Sequence, residues 1–290
     1  MSRPASANNG RDFAVPKSVE KAASGSSGLS VDEAWREWFT PPPRSQESVR
    51  EQRFLNTAEQ FTINYGDLPL SAYAWGTGPT VLLMHGWGSR ASHFSSFVQP
   101  LAEAGFRAVA VDAPGHGRTP GHRSNLFEFS DVLETVARRL APVRAIIAHS
   151  MGAASATMAL SRGVVVDRVV LLCPIGKLRE ALGRFISRRN LGDAVEDELV
   201  ARMGELFGPR VWLDSALDEI AVPLDTPALL FHDREDAEIP YADSVKTARA
   251  WSGSRLVATT GLGHRSLLRD PTLIAQAVEF VAASKDDLSC

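Results

Sequence analysis

Residues 145–156 read AIIAHSMGAASA. An apolar, β-branched run ends at the polar pair His149-Ser150, and a small-residue helical segment begins at once. A serine at that junction has two readings. As a helix cap, its hydroxyl oxygen accepts a hydrogen bond from an orphan N–H of the first turn. As a nucleophile, it sits on a sharp strand-to-helix turn that exposes the hydroxyl at a sheet edge. The segment alone leaves both open.

The flanking sequence supplies the sheet. Short apolar runs recur as TVLLM (80–84), FRAVAV (106–111), RAIIA (144–148), DRVVLL (167–172), PALLF (227–231) and SRLVAT (254–259). Between them lie helical patterns: FSSFVQPLAEA (94–104), LFEFSDVLETVARRL (126–140) and SMGAASATMALSR (150–162). This alternation predicts an α/β fold, a mostly parallel sheet with helices on both faces. Ahead of it, QFTINYG (60–66) and LPLSAYAWG (68–76) predict two strands joined through Gly66-Asp67.

One connection is longer than the rest. About fifty residues separate Pro174 from Thr226, where a structureless link would be unusual in a compact domain. They contain two amphipathic patterns, KLREALGRFISRR and DAVEDELVARMGELF, and a less regular piece. We read residues 174–226 as a small helical cap inserted between two parts of a core, 58–173 and 227–290. Residues 31–57 read as a helical segment, VDEAWREWF, stopped by Pro41 to Pro43, and a linker. That helix is expected to dock on the body or to cover part of a site. Residues 1–30 hold almost no large apolar side chains and are expected to be a disordered tail.

Composition excludes several classes of function. The formal net charge of −3 gives no reason to expect nucleic acid as a partner. Arg184, Arg188 and Arg189 cluster, but Glu196, Asp197 and Glu198 follow, which reads as an exposed helical face rather than a binding patch. No run approaches the length of a membrane span, and the N-terminus has no apolar stretch able to serve as a secretory signal, so the cytoplasm is the default. The two cysteines, Cys173 in an apolar run and Cys290, make no disulfide framework. Clustered metal ligands are absent, as is a phosphate-binding glycine loop with its lysine; no metal and no cofactor are expected.

Ligands of a parallel sheet bind beyond the carboxyl ends of its strands. Here those ends carry His85-Gly86-Trp87-Gly88, the Asp112 to Gly117 turn, His149-Ser150-Met151-Gly152, His232 to Asp236, and Thr260 to His264. A serine hydroxyl needs a base within reach, and the base needs an orienting partner. The strand ends supply Ser150, then Asp236, then His264, the chain order of the α/β-hydrolase arrangement.

From about Ala58 to Ala283 the chain resembles an α/β-hydrolase. The resemblance rests on LLMHGWG, VDAPGHG, the AHSMG elbow, the acid loop ending in Ile239-Pro240, and GLGH, in that order. It departs at one place, where Ala148 stands two before the serine instead of glycine. It implies a serine esterase with Ser150 as nucleophile, His264 as base, Asp236 as acid and the backbone N–H groups of Trp87 and Met151 as oxyanion donors. Asp233 competes with Asp236 as the acid. Among other histidines, His149 is expected to project away from the serine, while His85 and His116 are expected to be structural. His232 is assigned to the strand end, and His93 and His122 lack any triad context.

The implied partner is a small-molecule acyl substrate. Thioesterases, acyltransferases, carbon–carbon bond hydrolases and perhydrolases would use the same triad, and a binding module without turnover is a further class. Leu182, Phe185, Ile186, Leu199, Met203, Leu206 and Phe207 of the cap either line an apolar acyl pocket or pack the cap onto the body.

Overall fold

The computed structural model describes residues 29–284. Most of the expected N-terminal tail, and Cys290, lie outside the described residues. Eight strands form one sheet: β1 (Glu59–Tyr65), β2 (Leu68–Trp75), β3 (Thr80–Met84), β4 (Arg107–Val111), β5 (Val143–His149), β6 (Arg168–Leu172), β7 (Ala228–Asp233) and β8 (Ser254–Thr259). Their order is β1-β2-β4-β3-β5-β6-β7-β8. β1 and β2 are an antiparallel hairpin turned at Gly66, whose φ of 57° suits glycine. β2 also runs antiparallel to β4, and every later pairing is parallel.

Among the described residues eleven α-helices accompany the sheet: α1 (Val31–Trp38), α2 (Val49–Leu55), α3 (Ser95–Glu103), α4 (Leu126–Arg139), α5 (Met151–Ser161), α6 (Leu178–Arg188), α7 (Asp193–Phe207), α8 (Leu217–Ile220), α9 (Tyr241–Ala250), α10 (Gly263–Ser266) and α11 (Pro271–Ala282). The central strands are apolar on both faces because both faces are covered. Leu82 and Met84 of β3 pack with Phe129, Val132, Ala153 and Ala156 of α4 and α5. Val81 and Leu83, alternating to the other side, pack with Phe97 and Leu101 of α3 and Leu273 and Ala277 of α11.

A third apolar cluster lies above the carboxyl edge. It joins Trp35 and Phe39 to Leu182, Ile186, Leu199 and Met203 of α6 and α7, and reaches the body through Leu126, Ala154 and Met158. Between β6 and β7, where a helical cap is expected, the chain forms α6, α7 and α8, and α1 packs against α6 and α7. Trp38 meets Phe185 at 5.4 Å between ring centroids, and Arg202 pairs with Asp32 at 2.7 Å.

α1 starts where its sequence dictates. The Ser30 hydroxyl accepts from the Glu33 N–H at 3.3 Å, and the Glu33 carboxylate accepts from the Ser30 N–H at 2.8 Å. The segment read as linker holds a second helix, α2, opened by the same device at Ser48 and Glu51. Residues 48–51, Ser-x-x-Glu, carried that signal in the sequence and it was missed.

Candidate active site

β5 delivers Ser150 to the edge of the sheet in a strained backbone conformation, φ 56° and ψ −120°. Its side chain makes no cap bond to α5, so the capping reading of the opening segment does not hold. Small neighbours allow the turn. A Cβ on Gly152 would lie 2.4 Å from the His85 carbonyl oxygen, and one on Gly86 would lie 2.8 Å from the Ser150 Cβ. Ala148, where the resemblance anticipates glycine, is wholly buried in the core beneath the turn, and its methyl is accommodated there.

The Ser150 Oγ lies 3.0 Å from His264 Nε2, and His264 Nδ1 lies 2.7 Å from Asp236 Oδ2. A carboxylate only accepts, so Nδ1 carries the proton and donates to Asp236, and Nε2 accepts from the serine hydroxyl. The other Asp236 oxygen accepts from the N–H groups of Glu238 at 2.8 Å and Ile239 at 2.9 Å. Burial works to raise the Asp236 pKa. The bonds from His232, His264 and Ile239 outweigh it and hold the group well below the usual carboxylate range.

Asp233, the competing acid, is spent elsewhere. It accepts from the Glu235 and Leu262 N–H groups and the Thr259 hydroxyl, tying the end of β7 to the loop that carries His264. The other assignments made from sequence place as follows. His85 donates from Nδ1 to the Gly86 carbonyl and accepts at Nε2 from the Ala113 N–H. His116 donates to the Pro114 carbonyl, and His93 bonds Ser89. Asp112 accepts from the N–H groups of Ala91 and Arg118, fixing the loop after β3.

Two histidines make contacts beyond those read from the sequence. His149, expected to project away from the serine, lies against His264. Its ring packs on His264 at 4.7 Å between centroids, and its Nε2 donates to the His264 carbonyl at 2.8 Å. Burial, then the neighbouring His264, lowers its pKa to about 3, so it stays neutral behind His264. His232 is more than a strand end. Its Nδ1 accepts from the Ser244 hydroxyl, while Nε2 donates to the Ile239 carbonyl and lies 3.3 Å from Asp236 Oδ2. The His149 contact joins segments 115 residues apart, which no local pattern announces, whereas His232 meets Asp236 and Ile239 within its own loop.

Met151 is the first residue of α5, where an amide has no intrahelical acceptor. Trp87 follows Gly86, whose close approach to Ser150 brings the two loops together. Trp87, Met151, Ser150 and His264 all line a cavity of about 1310 Å³ roofed by Trp38, Phe39, Phe185 and Met203. Of the apolar cap residues, Phe185 and Met203 line this space, whereas Leu182, Ile186 and Leu199 are buried in the packing of the cap. The arginines read as an exposed face also belong to it: Arg184, Arg188 and Arg189 line the cavity. Glu196 and Glu198 pair instead with Arg179 and Arg202.

Among the described residues the fold brings together one potential ligand cluster that sequence spacing did not show. Ligand atoms of Cys173, Asp236 and His264 lie within 4.8 Å of one another. Both His264 nitrogens are engaged, by Asp236 and Ser150, and burial first, with Asp236 nearby, raises the Cys173 thiol pKa. Such a trio has neither a free imidazole lone pair nor a ready thiolate to offer a metal. Among the described residues no helix is long and apolar enough to cross a membrane.

Similar proteins agree with this architecture. Esterase YjfP of Escherichia coli (strain K12) is 26% identical over 219 residues, covering 70% of this chain and 83% of that protein. A serine hydrolase-like protein of Dictyostelium discoideum is 33% identical over 134 residues, 43% of this chain; the match spans only 37% of that protein's length. The solved structure of an esterase from Exiguobacterium antarcticum shares the fold with a TM-score of 0.61 at 16% identity, over 78% of this chain and 100% of that one. The description of the alpha/beta hydrolase family matches residues 81–277, a span that runs from β3 through the serine turn and the His264 loop into α11, and the chain belongs to that family.

Proposed function

We propose that this protein is a serine hydrolase that cleaves an ester-type bond through an acyl-enzyme on Ser150. The observation that carries the reading is the continuous chain of hydrogen bonds from Ser150 Oγ through His264 to Asp236, opening on the cavity under α6 and α7. Ser150 Oγ attacks the substrate carbonyl carbon while His264 Nε2 takes the hydroxyl proton. The tetrahedral oxyanion is met by the Met151 and Trp87 amides, each such donor being typically worth about 2.7–4 kcal/mol. Protonated His264 gives its proton to the leaving alkoxide. The same nitrogen then draws a proton from water, which attacks the acyl carbon; the bond to Ser150 Oγ breaks, His264 returns the proton to that oxygen, and the carboxylic acid leaves.

Asp236 stabilises the transient imidazolium and fixes the tautomer, and its bond pattern supports it over Asp233 in that role. His149 and His232 act one step removed, the first on the backbone of the base, the second on the carboxylate of the acid. On this reading residues 174–226 cap the site of a core made of 58–173 and 227–290, and the α1 segment completes the roof. The test is turnover of p-nitrophenyl esters by the wild type and by Ser150→Ala. The variant should lose turnover while keeping the circular dichroism spectrum and melting temperature of a folded protein. Undiminished turnover by Ser150→Ala would overturn the proposal.

A further inference from the structure

The cavity has a charge that neither its apolar walls nor the proposed reaction explains. Among the described residues five arginines line it, Arg184, Arg188, Arg189, Arg265 and Arg269, against two glutamates, Glu37 and Glu238. That leaves a surplus of three positive charges in a chain whose formal net charge is −3. The sign is therefore local to the cavity, and a cleft lined by one sign of charge concentrates ligands of the other.

The two glutamates are already committed. Glu37 pairs with Arg189, and Glu238 pairs with Arg265 at 2.9 Å. Among the described residues, Arg184, Arg188 and Arg269 have no carboxylate within ion-pair distance. Arg188 reaches only the Glu238 backbone carbonyl, at 3.4 Å. Asp243 feels Arg184 electrostatically but gives an oxygen to the Gly176 N–H. The Arg184 Nη2 atom is shut off from water with no acceptor among the described residues. Any ligand contact to Arg184 is therefore made by the part of its side chain that lines the cavity.

The arrangement also has direction. Arg184 and Arg188 are one turn apart on α6 and share a face with Phe185 between them in sequence. Arg188 and Arg265 converge on Glu238, and Arg265 directly follows His264. Cations from the cap and from the base-bearing loop thus face one space beside the reactive serine. Planar guanidinium forks suit carboxylate and phosphate oxygens, which they bind through paired hydrogen bonds.

We propose that the site takes acyl substrates bearing an anionic oxygen group, a carboxylate or a phosphate, held by Arg184 and Arg188 while the carbon chain lies against the apolar wall. For the reaction this rests on the serine-hydrolase reading; for binding it does not. The test uses two matched pairs. Mono-p-nitrophenyl adipate is compared with p-nitrophenyl heptanoate, so that a carboxylate replaces an alkyl end. Hexanoyl-coenzyme A is compared with the hexanoyl thioester of N-acetylcysteamine, so that phosphates are present or absent on the leaving group.

Binding is measured by calorimetry on Ser150→Ala, and kcat/KM on the wild type. The anionic member of at least one pair should be preferred about tenfold or more, a typical effect of one hydrogen bond to a charged group. The preferred pair identifies the anion as carboxylate or phosphate. Arg184→Gln combined with Arg188→Gln should collapse the ratio towards one, Arg184→Lys with Arg188→Lys should restore part of it, and Arg210→Gln, outside the cavity, should leave it unchanged. No preference in either pair, or one that survives the double Gln substitution, overturns the inference. Turnover without an anion preference would sink this inference alone. Anion-selective binding without turnover in the wild type would sink the catalytic reading and leave this one standing.

Discussion

Replacing Asp236 by Asn tests the proposed acid through hydrogen-bond geometry. The Asp236 side chain is wholly buried, and one of its oxygens accepts from both the Glu238 and Ile239 N–H groups. In Asp236→Asn, the amide oxygen must occupy that position, because an NH₂ group there would face two donors. The NH₂ is then turned to the place of Oδ2, 2.7 Å from His264 Nδ1. It can only donate, so Nδ1 must become the acceptor and the imidazole proton moves to Nε2. That nitrogen no longer accepts from Ser150, and the base is disarmed with its position unchanged. A wrong tautomer in such a triad costs roughly ten-thousand-fold in rate, or about 5.5 kcal/mol of transition-state stabilisation. The assay is kcat/KM on a p-nitrophenyl ester, with folding checked by circular dichroism. Asp233→Asn is the companion: it should lower the melting temperature by loosening the bonds to Leu262 and Thr259 while losing far less activity per folded molecule. A loss below about tenfold in Asp236→Asn, or the larger catalytic loss in a folded Asp233→Asn, would refute the assignment.

Three other perturbations probe the supporting structure. Gly152→Ala places a Cβ 2.4 Å and 2.5 Å from two backbone oxygens, of His85 and Met84, and should destabilise the protein by about 1–3 kcal/mol; an unchanged melting temperature would contradict the tight turn. Burial opposes ionisation of Glu51, yet bonds from Ser48 and Ser92 hold its pKa at about 2. Its contribution to stability is therefore present above about pH 4.5 and lost as pH falls towards 2, so the deficit of Glu51→Gln should shrink across that window in denaturant titrations. A pH-independent deficit would show that the charge is not what matters. Burial instead pushes Glu128 up to about 7. The native state holds that proton more tightly than the unfolded chain, so stability falls as pH rises from about 4.5 to 7, and Glu128→Gln should gain in stability over the wild type at pH 8 relative to pH 5. An equal difference at both pH values would count against the shift.

The parallel sheet was legible because strands buried on both faces must be apolar throughout, and TVLLM, RVVLL and ALLF each lie wholly inside it. The hairpin was legible from Gly66, and the helices between β6 and β7 from a connection too long to be a loop. α2 was within reach, since Ser48 and Glu51 mark its start. Other features depend on contacts between distant segments. Asp233 and Asp236 share one loop and carry the same chemistry; only the turn that aims Asp236 at His264, and Asp233 at Leu262, separates them. The sequence puts Glu196 to Glu198 shortly after Arg184, Arg188 and Arg189, which reads as an exposed helical face rather than a binding patch. In the fold α7 turns Glu196 and Glu198 to Arg179 and Arg202, and the α6 arginines meet Arg265 and Arg269 around the cavity instead. The His149 contact was not legible because adjacency to Ser150 says nothing of the loop folded over it.

The measurement that bears most directly on the central claim is intact-protein mass spectrometry after exposure to a fluorophosphonate, with the modified peptide sequenced. Ser150 should carry one stoichiometric adduct, which should be absent from Ser150→Ala and form far more slowly in His264→Ala. A folded wild-type protein that stays unmodified, or an adduct on another residue, would contradict an activated serine at this position.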